Sequence, residues 1–216
     1  MGEMPANPNS PLVAAMDVGS SAIKCVLAAR DRPTDLQVVA HVPTPTRCDQ
    51  QGTSEFEPQA LDRAIERAVT ALLTCVKESG RELTLIAVTG QVGGALLLGK
   101  DGQLRSPSLT YADRRAAEDA LEFSRHFSGA FPDLLSHALP PNTCWSAPKI
   151  RRLRKQSADP LHEIAAVLQA PDYLFYRLTG RIGTAPTLAI SLAHQVRGEY
   201  AQPILDWIGI PRDQLP

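Results

Sequence analysis

Two apolar runs separated by a short polar turn open the chain, and they most constrain how it can fold. The segment "LVAAMDVGSSAIKCVLAA" (residues 12–29) has strand-length apolar stretches on both sides of Gly19-Ser20-Ser21. This pattern predicts two consecutive strands joined by a tight turn. Asp17 stands near the end of the first strand, where burying an unpartnered carboxylate would be costly. We therefore expect Asp17 at the end of a central strand, with its carboxylate open.

Asp17 by itself has two interpretations. An aspartate often forms a turn by bonding the backbone two residues on, and the single residue does not separate this role from a functional one. The next residues favour function, because Gly19 lets a backbone approach an anion closely, while Ser20 and Ser21 offer donors. Lys24 then lies on the next strand. A carboxylate beside such a cradle suits a Mg²⁺-bound phosphate, although no P-loop segment is present.

The composition excludes several classes of protein. The chain has 216 residues, 44% of them hydrophobic, and a net charge of −1, so nothing drives general binding to nucleic acid or to an anionic membrane. No apolar run is long enough to span a bilayer. Its four cysteines form no C-x-x-C pair, which favours free thiols in the cytoplasm. Residues 1–10 carry no secretory pattern and are interpreted as a flexible leader before a domain at residues 11–216.

The following segments alternate between strand and helix patterns. "DLQVVAHVP" predicts a third strand, and apolar residues at helical spacing predict a helix over residues 58–79. "LTLIAVTG" is a continuous apolar run typical of a strand covered on both faces, and "GALLLGKDGQL" predicts a hairpin turning at Asp101-Gly102. "VLQAPDYLFYRLTG" combines a short apolar run with a predicted helix ended by Gly180. These elements describe a mixed α/β domain.

Two further helices are predicted in the second half. In "DRRAAEDALEFSRHF", Ala117, Leu121 and Phe127 are spaced over an amphipathic helix. In "SAPKIRRLRK", Ser146 is a candidate N-cap and Ile150 is expected to face inward. We interpret the basic run "KIRRLRK" as a solvated helix face, because no aromatic residue interleaves it.

Two polar segments are candidate ligand sites. In "TGQVGGALLL", Gln91 and Gly93 follow a strand, and the glycines serve either the torsions of a turn or the close approach of a ligand. In "LTYADRRA", Tyr111, Asp113 and Arg115 precede a helix. Asp113 either supports the start of that helix or binds a ligand.

Six segments, in order and at similar spacing, resemble the N-terminal domain of the FGGY carbohydrate kinases, and xylulokinase-type members most. They are "DVGSSAIKCVLA", "VTGQVGGALLL", "YADRRA", "SAPKIRRLRK", "PDYLFYRLTG" and "ILDWIGIPRDQLP". The resemblance implies an actin-like, ribonuclease-H-like ATPase domain with a mixed five-stranded sheet flanked by helices. It also implies that ATP and Mg²⁺ are used to phosphorylate a hydroxyl of a ketose or polyol.

The resemblance also implies roles for single residues. Asp17 would position the metal and the transferring phosphoryl group. The residues implied to face the phosphates are Gly19, Ser20, Ser21 and Lys24. The residues implied to hold the sugar are Gln91, Val92, Gly93, Tyr111, Asp113 and Arg115. The general base is expected downstream of Pro216, and the nucleotide-binding C-terminal domain is absent from this chain. We therefore expect the chain alone to fold but to be inactive, and its open surface to favour homodimers.

Three segments differ from the family's usual pattern. "QVGG" (residues 91–94) stands in place of Gln-Met-His-Gly, "YADRR" (111–115) in place of Trp-Asn-Asp-x-Arg, and "TAPT" (184–187) in place of Thr-Asp-x-Ser. Because Val92 and Gly93 are smaller than the usual contact residues, we expect a roomier pocket with little preference for xylulose. The alternative is a non-catalytic ligand-sensing or partner-binding module that kept the fold. A third reading is an ATPase or acetate-kinase-like enzyme of the same superfamily.

Overall fold

The computed structural model describes residue 7 and residues 9–44, 46–127, 129–136, 142–157 and 161–216. Most of the expected leader therefore lies outside the described residues. The chain divides into two compact units. The first unit comprises Met1–Pro45 and Gln59–Gly90, and the second comprises Thr46–Pro58 and Gln91–Pro216.

The strands and helices are numbered in chain order. The strands are β1 Leu12–Val18, β2 Ala22–Ala29, β3 Arg32–Pro43, β4 Thr46–Cys48, β5 Ser54–Phe56, β6 Leu83–Gly90, β7 Leu96–Gly99, β8 Ser108–Leu109, β9 Ile164–Leu168, β10 Ala193–His194 and β11 Glu199–Tyr200. The helices are α1 Pro58–Ser79, α2 Ala117–Phe127, α3 Phe131–Leu135, α4 Ser146–Gln156, α5 Ala170–Thr179 and α6 Gln202–Ile208. Of these helices, none is long and apolar enough to cross a bilayer.

A mixed sheet in the order β3-β2-β1-β6 forms the first unit. Strands β1, β2 and β3 are antiparallel neighbours, whereas β6 runs parallel to β1. The predicted hairpin between the first two apolar runs is confirmed, and the helix over residues 58–79 has the predicted bounds. Four strands, rather than the expected five, form this sheet within the described residues.

One face of this sheet is better covered than the other. Alternate residues of β1, from Leu12 to Val18, are buried, and α1 buries a stripe that includes Leu61 and Leu72. No residue of β6 is fully buried, and Leu85 is 58% exposed. The expectation that β6 is covered on both faces is therefore wrong. Its apolar run belongs to the last strand of the sheet, where fewer neighbours cover the side chains.

The second unit is built from small sheets and a helical core. β4, β5 and β8 form one antiparallel sheet, while β7 pairs with β9 and β10 pairs with β11. Helix α4 contacts both α2 and α6. An aromatic cluster fills this core, with ring centroids 5.1–6.3 Å apart. Its members are Phe123, Phe127, Phe131 and Trp207.

Several local predictions in this unit are confirmed and others are wrong. The hairpin turns where predicted, with Gly102 at φ +79°, and Gly180 caps α5 in the left-handed conformation. Helix α2 buries Ala120, Phe123 and Phe127, whereas Leu121 is 48% exposed, so the predicted phase is off. Trp145, not Ser146, is the N-cap of α4.

Candidate functional site

Asp17 is the penultimate residue of β1, at the end that leads into the Gly19–Ser21 turn. Its register partners are Lys24 on β2 and Thr89 on β6. Directly paired residues point to the same face of a sheet, so these side chains share the less covered face. Asp17 is half-buried and Lys24 is exposed. The position of Asp17 at the end of a central strand matches the sequence expectation.

The turn after β1 is tight and exposed at its tip. The Gly19 amide donates to the Ala22 carbonyl at 3.1 Å, which closes the turn. A Cβ on Gly19 would lie 3.1 Å from that carbonyl and 3.6 Å from an Asp17 carboxylate oxygen, so glycine keeps the space beside Asp17 clear. Ser20 and Ser21 are exposed at the tip.

The donor set beside Asp17 fits a magnesium ion carried by a phosphate. No group of three or more His, Cys, Asp or Glu side chains that could hold a metal occurs within the described ranges. Asp17 would therefore be one protein ligand among waters and phosphate oxygens. Mg²⁺ is commonly bound in this way, through one or two carboxylates together with substrate phosphates.

In the second unit, the segments that carry Gln91 and Tyr111 lie side by side. The Tyr111 amide donates to Oε1 of Gln91 at 3.4 Å, while Nε2 of Gln91 is buried without a partner among the described residues. The side chains of Val92 and Tyr111 are 40% and 45% exposed. The structure therefore brings an aromatic ring and an aliphatic side chain to one surface, with the buried amide of Gln91 beside them.

Gly93 is enclosed by backbone. Its φ is +88°, and a Cβ built on it would overlap the carbonyl oxygen of Cys144. The next glycine, Gly94, also lacks room for a side chain, since its Cβ would lie 2.6 Å from the Leu109 carbonyl oxygen. The expectation of a roomier pocket is therefore wrong at Gly93. The main chain at Cys144 occupies the volume that a larger side chain would need.

Lys149 bridges the two segments that carry Gly93 and Tyr111. Its side chain is fully buried, and its Nζ donates to the carbonyls of Gly93 at 2.9 Å and Tyr111 at 3.0 Å. Burial lowers the pKa of Lys149 from 10.5 to about 8, against opposing effects of Cys144 and Asp113. The interpretation of "KIRRLRK" as wholly solvated is thus wrong at its first residue.

Asp113 and Arg115 form an internal ion pair. The Asp113 carboxylate is fully buried and accepts from the Ser54 amide at 2.9 Å and from Nε of Arg115 at 3.0 Å. Arg115 also pairs with the buried carboxylate of Glu55, which lies 3.3 Å from Arg47. Asp113 therefore ties the 110–115 turn to β5 and has no exposed surface for a ligand.

Gln169 and Asp172 support the same region from the start of α5. Oε1 of Gln169 accepts from the Gly93 amide at 2.7 Å, and Nε2 of Gln169 donates to the Leu188 carbonyl. Asp172 accepts from the Gln169 amide at 2.9 Å, completing a capping box. Burial raises the pKa of Asp172 from 3.8 to about 6, against hydrogen bonds from Gln169 and Thr184.

Lys149, Gln169 and Asp172 were not among the residues expected at the site. The burial of Lys149 could have been predicted from helical spacing, because Lys149 lies beside Ile150 and four residues before Leu153, on the buried face of α4. For Gln169 and Asp172 the sequence pattern was weaker: a Gln-x-x-Asp spacing before an apolar run, which is compatible with a capping box.

The fold is the actin-like ATPase fold found in solved sugar kinases. The model of the FGGY family of carbohydrate kinases, N-terminal domain, matches residues 12–216. The chain therefore belongs to the FGGY family of carbohydrate kinases.

Solved structures of sugar kinases share this fold at low sequence identity. Xylulose kinase from Rhodospirillum rubrum superposes with a TM-score of 0.79 at 24% identity, covering 95% of this chain and 42% of that one. Glycerol kinase from Plasmodium falciparum superposes with a TM-score of 0.82 at 16% identity, covering 96% and 42%.

Curated relatives are similar over most of this chain. Xylulose kinase of Bacillus subtilis is 23% identical over 206 residues, which are 94% of this chain and 40% of the relative. The L-xylulose/3-keto-L-gulonate kinase of Escherichia coli is 27% identical over 200 residues, covering 90% and 39%. The chain thus spans about two fifths of the length of these relatives.

Proposed function

We propose that this chain is the sugar-binding part of a kinase that transfers the γ-phosphoryl group of ATP to a hydroxyl of a ketose or polyol. The observation that carries the proposal is the family match over residues 12–216. The xylulose kinases among the relatives support a ketose, and the glycerol kinase of similar fold supports keeping polyols in the class.

The proposed sugar surface consists of Gln91, Val92 and Tyr111. An exposed aromatic ring can cover the apolar face of a sugar, while an amide with an unused donor can bind a hydroxyl. Tyr111 provides the exposed ring, while Gln91 Nε2 is a buried donor that no described protein group uses. Gly93 contributes the close backbone packing beside them.

Asp113 and Arg115 enter this proposal as positioning residues. Their mutual hydrogen bonds, with those to Ser54 and Glu55, hold the turn that presents Tyr111. We propose that they shape the sugar surface through this turn, because Asp113 is fully buried.

ATP and Mg²⁺ are proposed to meet the first unit at the end of β1. Asp17 would hold the metal-bound phosphate, while Gly19, Ser20, Ser21 and Lys24 would face the phosphate oxygens. The metal neutralises charge on the transferring group when bound. The half-buried Asp17, the clear space beside Gly19 and the exposed Lys24 support this assignment.

The role of Asp17 is tested in the full-length protein by Asp17→Asn. We expect kcat to fall by about 10²-fold or more, because a fixed charge that stabilises the transition state is lost. The KM for the sugar should change little. Asp35→Asn, on the exposed part of β3, is the matched control and should leave both constants unchanged. Unchanged turnover in Asp17→Asn would reject the role.

The 216-residue chain alone is proposed to be inactive. Phosphoryl transfer needs groups positioned on both sides of the transferring phosphate, and this chain spans about two fifths of its relatives. A coupled ADP-release assay should detect no sugar-dependent turnover by this chain, and turnover should return when the remaining part of the protein is added. Turnover by the chain alone would contradict the proposal.

A second candidate is a ligand-sensing or partner-binding module without catalysis. It is favoured by the burial of both Asp113 and Asp172, because neither carboxylate is then accessible to a sugar. Calorimetric titration of the full-length protein with ketoses and polyols separates the candidates when it is combined with the ADP assay. Binding without turnover supports the module, and binding with turnover supports the kinase. Tight, selective binding of xylulose would contradict the expectation of little selectivity for this sugar.

We also propose that the protein acts in the cytoplasm. The four cysteines are free thiols, as is usual in a reducing compartment.

A further inference from the structure

Lys149 is an unusual buried cation. It is fully buried in α4, and no ion pair joins it to a carboxylate among the described residues. The ionisable groups that favour its charged form are Cys144 and Asp113, and the Asp113 carboxylate is already engaged by Arg115. A lysine is rarely buried without such a partner, because its ammonium group loses its hydration. The two carbonyls of Gly93 and Tyr111 therefore replace water at Nζ.

These carbonyls belong to the two segments that form the proposed sugar surface. Both backbone polar groups of Gly93 are engaged, the amide by Gln169 and the carbonyl by Lys149. Both backbone polar groups of Tyr111 are engaged as well, the amide by Gln91 and the carbonyl by Lys149. Lys149 is thus the shared point of attachment for both segments.

The geometry points to Lys149 as a positioning residue that fixes the spacing between Val92 and Tyr111 and thereby the selectivity of the surface they form. This inference rests on the proposed function for what the surface binds. Tyr111 carries one of the two bound carbonyls, Val92 directly precedes Gly93, which carries the other, and the side chains of Val92 and Tyr111 are exposed. Displacements of about 1 Å in such supports are enough to reduce catalytic efficiency by about 10²-fold.

Hydrogen exchange tests the positioning without any assay of function. In Lys149→Met, the amides of Gly93 and Tyr111 should exchange about three- to tenfold faster, because each loses a neighbouring hydrogen bond that restrains its segment. Lys155→Met is the matched control on the same helix, since Lys155 is exposed and pairs with Asp119 at 2.7 Å. It should leave both amides unchanged. Equal exchange in Lys149→Met and wild type would overturn the inference.

Kinetics of the full-length protein test the selectivity. Lys149→Met should raise the KM of the preferred sugar by about tenfold and narrow its advantage over other sugars, while kcat changes less. A uniform loss of kcat with KM unchanged would assign Lys149 to stability alone and overturn the inference. If the wild type shows no sugar-dependent turnover, the proposed kinase function fails. The exchange experiment then decides the positioning role by itself.

The wild-type protein provides the measurement if Lys149→Met does not fold. Segments joined through one ammonium group should open together, so the amides of Gly93 and Tyr111 should have the same opening free energy at increasing denaturant. Clearly different opening free energies would overturn the inference.

Discussion

Backbone packing around Gly93 determines which type of residue can occupy this position of the site. Substituting Gly93→Ala adds a Cβ that overlaps the Cys144 carbonyl at a positive φ. We expect the free energy of unfolding to fall by about 2–5 kcal/mol, the sum of a torsional cost and overpacking. Urea denaturation measures the change.

A matched control separates the cost of the backbone torsion from the cost of the steric overlap. Gly198 in the same unit has φ +69° and nothing within 4 Å of a built Cβ. Gly198→Ala should therefore cost only about 1–2 kcal/mol. Equal costs at Gly93 and Gly198 would show that the Cys144 carbonyl does not exclude a side chain.

Asp172 should make stability depend on pH in a direction set by its raised pKa. Between pH 3.8 and about 6 the folded state keeps a proton that the unfolded state has lost, so the contribution of Asp172 to stability falls as pH rises through this window. Asp172→Asn removes this dependence. Relative to wild type, its free energy of unfolding should increase by up to about 3 kcal/mol from pH 4 to pH 7.

Unfolding in urea at several pH values measures this difference. Asp206→Asn on the exposed side of α6 is the control and should track the wild type. A pH-independent difference between Asp172→Asn and wild type would show that Asp172 titrates as an ordinary carboxyl group.

At the scale of elements, α2 shows how a helix can be predicted correctly and its phase wrongly. Phe123 packs in the aromatic cluster, whereas Leu121 is 48% exposed. Phe123→Ala should lower the free energy of unfolding by about 3–5 kcal/mol, and Leu121→Ala should change it by less than about 0.5 kcal/mol. Thermal or urea unfolding distinguishes them. Comparable losses of unfolding free energy in the two variants would support the buried face of α2 that the sequence predicted.

At the scale of the whole molecule, the thinly covered sheet of the first unit is expected to promote self-association. Leu85 on β6 is 58% exposed, and within the described residues β6 pairs only with β1. A lysine on such an edge strand opposes pairing between copies. We expect the wild type to form a concentration-dependent dimer in sedimentation velocity, and Leu85→Lys should reduce it.

Val196→Lys is the control for this effect. Val196 is 84% exposed but lies between β10 and β11 in the second unit. It should leave the association unchanged. If both lysines act equally, general charge rather than the β6 edge governs association; if neither variant dissociates the dimer, another surface forms it.

The sequence by itself determined the main elements of the first unit and the family. Strands β1, β2 and β6 and helix α1 were predictable because apolar periodicity, glycines and turn residues act locally along the chain. The segments carrying Asp17, Gln91 and Tyr111 were found for the same reason. Which of their side chains stay accessible was not predictable, because accessibility depends on neighbours far apart in sequence.

Only the tertiary structure decided how the candidate site is supported. The Asp113 carboxylate is engaged by hydrogen bonds from Arg115 and from Ser54, which lies 59 residues away in sequence. Lys149 donates to Gly93, which is 56 residues away. The space beside Gly93 is filled by Cys144, a contact with no local sequence signal. Local patterns encode which residues are buried on an element, whereas the partner of a buried polar group is fixed only when distant segments pack and each group must replace its lost water.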